Sequence, residues 1–123
     1  MLDIFIKTHF CGGHHLRDYP GNCERPHGHN WNVTVTVRAT RLDNLGMGID
    51  FKVLKGIVNR VIDELDHQDL NDLPAFRDIN PSSEHIAMYL FDRLKRELTS
   101  DRYTLSSVRI QETDSSGVIY YGE

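Results

Sequence analysis

The stretch HGHNWNVTVTVRAT, residues 27–40, alternates between apolar and polar side chains along most of its length. Successive side chains of a β-strand point to opposite faces of the sheet, so a period of two predicts a strand with one buried and one exposed face. The many valines and threonines favour the same structure. The apolar residues that would form the buried face are Trp31, Val33, Val35, Val37 and Ala39.

A weaker alternating pattern precedes this strand. Apolar residues of one parity recur from Leu2 to Phe10, with Phe5 as the break, and predict a first strand. The segment CGGHHLRDYPGNCERP (11–26) contains three glycines and two prolines, which are typical of an irregular connection. We therefore predict that the two strands pair as a long antiparallel hairpin.

Two helices are predicted downstream. Asp50 is a candidate N-cap for the first, whose apolar residues recur at helical spacing to an end near Asp66. The second begins within residues 81–84, where Ser82 and Ser83 are candidate caps. The predicted buried stripes comprise Phe51, Leu54, Ile57, Val58, Val61, Ile62 and Leu65 in the first helix, and Ile86, Leu90, Leu94 and Leu98, with Ala87 and Phe91, in the second.

The C-terminal part predicts a second hairpin. Tyr103–Glu112 and Gly117–Tyr121 have strand patterns and are joined by a turn in TDSSG. The order ββααββ predicts an α+β fold in a single domain, residues 1–123, with a four-stranded antiparallel sheet and two helices on one face. Uncovered sheet edges invite aggregation, so we expect subunits to join their sheets into an oligomeric barrel.

Composition restricts the class of protein. The chain has 123 residues, 39% of them apolar and 26% charged, with a net charge of −4. These values are typical of a soluble globular domain, and they give no reason to expect nucleic acid or a membrane as a partner. The N-terminus MLDIFIKTHF lacks the pattern of a secretion signal, so we expect a cytoplasmic protein in which Cys11 and Cys23 are free thiols.

A metal site is predicted near residues 27–29. His27 and His29 lie two residues apart on one strand, so their side chains share a face with Cα atoms about 7 Å apart. His14 or His15, from the partner strand, would supply a third ligand. Three neutral nitrogens with an open position are typical of a catalytic metal, although spacing does not distinguish zinc from another divalent ion. Cys23 is a fourth ligand, a reactive thiol beside the metal, or neither.

Three other polar clusters have both structural and functional interpretations. Asp66 and His67 match a proton-transfer pair, but the residues alone favour an ordinary helix end. NPSSEH (80–85) has the form of a capped helix N-terminus, whose N–H groups could also meet phosphate or a polar ring. Glu112 falls on an apolar strand face, where burial requires a partner: Arg109, a lysine, or the N–H groups of a ligand.

Taken together, several motifs in this order resemble the 6-pyruvoyl-tetrahydropterin synthase and 6-carboxy-tetrahydropterin synthase family. The resemblance covers almost the whole chain. It implies the tunnelling fold, in which trimers join their sheets into a barrel and two trimers stack into a hexamer. The motifs are FCGGHHL, CERPHGHN, GIDFKVLK, LDHQDLN, NPSSE and QET.

The resemblance also implies roles for the polar clusters. His14 would complete a Zn²⁺ site with His27 and His29. Cys23 matches a catalytic cysteine that transfers protons, and the pair Asp66 and His67 matches the dyad that handles the other proton. The resemblance further implies that, in the assembled protein, the dyad and the cysteine meet across a subunit interface.

The remaining matches concern the pterin ring. Glu112 matches the carboxylate that holds the 2-amino and ring N–H groups. Ser82, Ser83 and Glu84 match the polar stretch that helps to seat the ring.

Only three residues separate Cys23 from His27, as in the bacterial 6-carboxy-tetrahydropterin synthases of queuosine biosynthesis. The resemblance therefore implies conversion of 7,8-dihydroneopterin triphosphate to 6-carboxy-5,6,7,8-tetrahydropterin, with release of acetaldehyde and triphosphate. The alternatives are the 6-pyruvoyl synthase reaction, a zinc hydrolase, and a non-catalytic zinc-binding module in which Cys23 closes the metal shell.

Overall fold

The computed structural model describes residues 1–19 and 27–123, with His27 described by its backbone alone. Cys23 lies outside the described residues. The predicted α+β class with two helices is confirmed. The elements are β1 (Leu2–His14), β2 (His27–Ala39), α1 (Phe51–Ile62), β3 (Gln68–Asp69), α2 (Ser83–Leu94), β4 (Tyr103–Thr113) and β5 (Ser116–Tyr120), with short 3₁₀ helices at 70–72 and 74–76.

The sheet has the strand order β3-β1-β2-β4-β5. The predicted four antiparallel strands are present, but the prediction of a four-stranded sheet is wrong, because β3 adds a fifth. β3 pairs in parallel with Gly12 and Gly13 of β1 and so covers part of that edge. A strand of two residues has no periodicity, and the sequence therefore carries no signal for it.

β1 is longer than predicted. Residues 11–14, expected in the irregular connection, continue the strand and pair with residues 27–30 of β2. The indole Nε1 of Trp31 also donates to the Gly12 carbonyl at 3.2 Å. A Cβ at residue 12 would lie 3.3 Å from the Phe10 ring, so glycine here permits close packing and does not break the strand.

Both predicted helix starts are confirmed. The Asp50 carboxylate accepts from the Lys52 N–H, and the Ser82 hydroxyl accepts from the His85 N–H. α1 ends at Ile62, four residues before the predicted end near Asp66, because the chain tightens into turns after it. These turns carry His67 into a left-handed conformation with φ of 59°.

The core lies between the helices and one face of the sheet. The apolar face predicted for β2 is buried from Trp31 to Ala39. The linker before α2 contributes Leu70 and Phe76 to the core. No helix among the described residues has the length and apolar character needed to cross a membrane.

Candidate functional site

Three polar side chains converge at one end of the sheet, on the face that carries the core. His14 ends β1, His29 lies near the start of β2, and Glu112 lies near the end of β4. Each offers one donor atom, and these atoms lie within 4.8 Å of one another. His14 is buried, with 2% of its surface exposed, and His29 and Glu112 are partly buried. Two imidazoles and a carboxylate this close are a donor set that suits a divalent transition metal.

The His14 ring is fixed in one orientation. Its Nδ1 lies 2.8 Å from the carbonyl oxygen of Pro81, which only accepts hydrogen bonds, so Nδ1 carries the proton. In the neutral ring the lone pair is therefore on Nε2. A hydrogen bond from one ring nitrogen to a carbonyl is the usual way in which proteins orient a metal-ligating histidine.

Trp31 holds both histidine rings in place. Its ring meets His14 edge-on at a centroid distance of 4.8 Å, and His29 at 5.3 Å. The two imidazoles lie 5.2 Å apart. Trp31 is fully buried, and the sequence pattern assigned it to the core without indicating this second role.

Glu112 contacts residues of two other elements, β2 and α2. Its Oε2 lies 3.3 Å from His29 Nε2, and its Oε1 accepts from the Ser83 hydroxyl at 3.1 Å. Arg109, one of the partners considered above, points to the other face of the sheet, because it alternates with buried Val108 and Ile110. The sequence placed Glu112 on the correct face, but His29 and Ser83 reach it only through the tertiary fold.

The other predicted site residues occupy different positions. Ser82 caps α2 through its side chain, and Glu84 is exposed in the first turn of that helix. His27 pairs with His14 through the backbone, and its side chain is not described. His15, the alternative third ligand, is not among the clustered residues.

Asp66 and His67 form the predicted pair. His67 Nδ1 lies 3.0 Å from Asp66 Oδ2. The backbone of Cys11 holds both residues: its N–H donates to Asp66 Oδ1 at 2.9 Å, and its carbonyl accepts from the His67 N–H at 2.6 Å. The Cys11 N–H is the main reason that the pKa of Asp66 lies below its usual value of 3.8.

His67 of the pair lines the same cleft as one of the clustered histidines. A cleft of about 460 Å³ is lined by Cys11, His29, His67 and neighbouring backbone. The His67 side chain is 79% exposed. The strained left-handed backbone at His67 and the two bonds to Cys11 therefore orient this imidazole toward the cleft.

Two asparagines whose role the sequence does not indicate support the chain beside the cluster. Asn71 accepts from the His15 N–H and donates to the His15 carbonyl, and Asn80 does the same for Arg17. Asn71 is 7% exposed. These side chains fix the chain where it leaves His14. From sequence alone, asparagine next to proline or aspartate predicts a turn. Only the fold shows that these two side chains bind the backbone that follows His14.

Substitution of Asp66 tests how much its hydrogen bond from the Cys11 N–H stabilises the protein. Asp66→Ala removes the acceptor for the Cys11 N–H, whereas Asp66→Asn retains an acceptor oxygen and loses the charge. We expect Asp66→Ala to destabilise the protein more than Asp66→Asn, because only the alanine variant leaves the Cys11 N–H without its acceptor. Urea denaturation of the two variants measures this difference.

A comparison of wild type with Asp66→Asn also gives a pH dependence. The pKa of Asp66 is lowered by folding, so its charge stabilises the native state above the unfolded pKa, and this stabilisation is lost as the pH falls through the folded pKa. The stability difference between wild type and Asp66→Asn should therefore shrink below about pH 4. A difference that stays constant from pH 7 to pH 3 would contradict the assignment.

The fold and the site define an α+β protein in which two histidines and a glutamate, a group that could hold a metal ion, lie near an Asp–His pair. Residues 3–123 match the family model of 6-pyruvoyl tetrahydropterin synthase. The chain belongs to this family of pterin synthases.

Individual relatives include both branches of the family. A 6-pyruvoyl tetrahydrobiopterin synthase of Poecilia reticulata is 37% identical over 107 residues, covering 84% of this chain and 71% of the relative. A 6-carboxy-5,6,7,8-tetrahydropterin synthase of Bacillus subtilis is 31% identical over 126 residues, covering 97% and 84%. The structure of Caenorhabditis elegans 6-pyruvoyl tetrahydropterin synthase superposes with a TM-score of 0.87 at 29% identity, covering 99% of this chain and 96% of that one.

Proposed function

We propose that the protein is a zinc-dependent, cytoplasmic 6-carboxytetrahydropterin synthase. Its substrate would be 7,8-dihydroneopterin triphosphate, which with one water gives 6-carboxy-5,6,7,8-tetrahydropterin, acetaldehyde and triphosphate. The observation that carries the proposal is that His29 of the metal-binding cluster and His67 of the Asp–His pair line one cleft in a chain of this family.

His14, His27 and His29 would hold the zinc. Two of these donors fit this ion: the Pro81 carbonyl fixes the tautomer of His14, and the centroid of the His29 ring lies 5.2 Å from that of the His14 ring. When bound, zinc supplies Lewis-acid chemistry: it lowers the pKa of the substrate's side-chain hydroxyls and stabilises negative charge that develops on them.

Proton transfer would fall to the protein's own side chains. Cys23 as a thiolate would remove a carbon-bound proton, since a thiolate is the reactive form of cysteine. His67, with Asp66 bonded to its Nδ1, would carry protons at its Nε2 during loss of triphosphate and cleavage of the side chain. Asp66 stays ionised above pH 4, so it balances the charge of His67 whenever that ring is protonated.

The pterin ring would be held by Glu112 with help from residues 82–84. The two carboxylate oxygens of Glu112 match the paired N–H groups of a 2-aminopterin, which is a bidentate arrangement. The Ser83 hydroxyl already bonds one of these oxygens and limits its rotation. A small cleft of about 250 Å³ beside Glu112, Ser83 and Glu84 offers space at this position.

Substitution of Glu112 distinguishes a substrate contact from a metal ligand. We expect Glu112→Gln to retain zinc and to lower kcat/KM by about a hundredfold, because an amide cannot accept two N–H bonds and lacks the charge. Zinc content and steady-state kinetics measure the two effects. Loss of zinc from this variant would make Glu112 a ligand. Glu123→Gln removes an exposed carboxylate elsewhere and serves as the matched control.

The carboxy product is favoured by the three-residue spacing between Cys23 and His27. The pyruvoyl product is the second candidate, because relatives bearing that name reach 37% identity. Incubation with 7,8-dihydroneopterin triphosphate decides between them: the carboxy reaction releases acetaldehyde, whereas the pyruvoyl reaction eliminates triphosphate and keeps all carbons. Triphosphate release without acetaldehyde would overturn the carboxy assignment.

We also propose a homohexamer built from two stacked trimers with their sheets joined into barrels. Edge pairing is chemically reasonable, because β3 covers only two residues of the 13-residue strand β1. The mass of the native protein in solution tests this assembly.

A further inference from the structure

The sheet face opposite the helices carries a groove of about 400 Å³. Its lining combines hydroxyl side chains, among them Thr34, Thr36 and Ser107, with the exposed apolar side chains of Phe5, Ile119 and Tyr121. Two cations stand on either side of Thr34, because Lys7 of β1 and Arg109 of β4 are its neighbours in the strand register. A volume of this size lies within the range of small-molecule sites.

The groove has an unbalanced positive charge. Asp3 is the one carboxylate among its described lining residues, and it is already bonded to Arg38 through both oxygens, at 2.9 and 3.2 Å. Across residues 1–19 and 27–123, neither Lys7 nor Arg109 forms an ion pair. The chain as a whole has a net charge of −4, so this local excess of cations is contrary to the overall charge.

From this groove, which we define by Lys7, Thr34, Thr36, Ser107 and Arg109, we infer a binding site for an oligophosphate. Adjacent strands lie about 4.8 Å apart, so the backbones of Lys7 and Arg109 are about 10 Å apart across β2. A chain of two or three phosphates is long enough to contact both cations, and its oxygens accept from the hydroxyls between them. A single carboxylate is long enough to contact only one of the two cations.

The site is separate from the metal-binding cluster within one chain. His14 shares the buried face with Trp31, whereas Lys7 and Arg109 lie on the other face of the sheet. The inference therefore does not depend on the proposed activity. Neither the histidine cluster nor the Asp–His pair contributes a residue to this anion site.

Calorimetric titration with inorganic triphosphate tests the site on the assembled protein. We expect binding that weakens with added salt, and a loss of affinity of about tenfold or more in Lys7→Gln/Arg109→Gln. Lys7→Arg/Arg109→Lys retains both charges and should bind within about threefold of wild type. Lys52→Gln/Lys55→Gln removes two exposed lysines of α1 and is the matched control for loss of two charges.

Three results would overturn the inference. The first is equal triphosphate affinity in the double glutamine variant and wild type. The second is citrate binding as tightly as triphosphate, which would mean attraction by charge alone. The third is triphosphate binding that is retained in the double glutamine variant but abolished when metal is removed with a chelator. The anion would then bind to the metal.

The kinetics of the same variants identify the source of the phosphate chain. A KM for 7,8-dihydroneopterin triphosphate that rises in parallel with the triphosphate Kd would place the tail of the substrate in the groove. An unchanged KM with weakened triphosphate binding would assign the groove to a free oligophosphate. Both results support the site, and neither requires the carboxy product.

Discussion

His29→Ala should lose its bound zinc and about a thousandfold or more of its pterin synthase activity. His29 lies close to both other members of the cluster. Its ring centroid is 5.2 Å from that of His14, and its Nε2 is 3.3 Å from Glu112 Oε2. Stabilisation of developing charge by a metal is worth several kcal/mol, and each 1.4 kcal/mol corresponds to a factor of ten. Elemental analysis of the purified protein and initial rates of triphosphate release measure the two losses.

His9→Ala is the matched control. His9 is exposed on β1 and lies on the opposite parity from buried Phe10 and His14, so its removal should leave zinc content and rate unchanged. If His29→Ala loses zinc but keeps its activity, the metal has no catalytic role. If it keeps zinc, the histidine cluster is not the metal site.

Cys23→Ala should reduce activity by about a hundredfold to ten-thousandfold while zinc content stays at the wild-type level. This is the range expected on removal of a general acid or base. Cys23 lies outside the described residues, and the prediction depends on its position in CERPHGHN and on the family to which the chain belongs. The assay follows acetaldehyde and triphosphate with 7,8-dihydroneopterin triphosphate as substrate.

The same variant separates the proposed mechanism from its two rivals. A zinc hydrolase that uses a metal-bound hydroxide would retain most of its activity without the thiol. A structural zinc shell closed by Cys23 would lose the metal together with the side chain. Cys23→Ser, which has a similar size but a much less acidic group, should behave like Cys23→Ala if proton transfer by the thiolate is the essential step.

Local patterns in the sequence were sufficient for most of the fold. The alternation in residues 27–40 determined which face of β2 is buried, and Asp50 and Ser82 determined where the helices begin. These features depend on neighbours within a few residues, and such interactions can be read directly from the chain. The glycines at 12 and 13 were misleading, because pairing with β2 outweighs their tendency to break strands.

For the candidate site, the sequence supplied the chemical groups, and the family resemblance supplied a proposed role for each. Histidine, cysteine and carboxylate residues within the motifs quoted above indicated a metal site and proton-transfer groups. The contacts depend on residues far apart in the chain. Pro81 accepts from His14, Ser83 donates to Glu112, and the backbone of Cys11 holds the Asp66–His67 pair.

The sequence by itself determined the α+β class, the buried face of each long strand and the residue types available for chemistry, because these follow from periodicity and composition. Only the tertiary structure decided that β3 joins the edge of β1, that His29 and His67 face one cleft, and that Lys7 and Arg109 flank Thr34 on the opposite face. The physical reason is that these contacts are set by strand register and by the packing of the linker, which connect residues with no pattern in common.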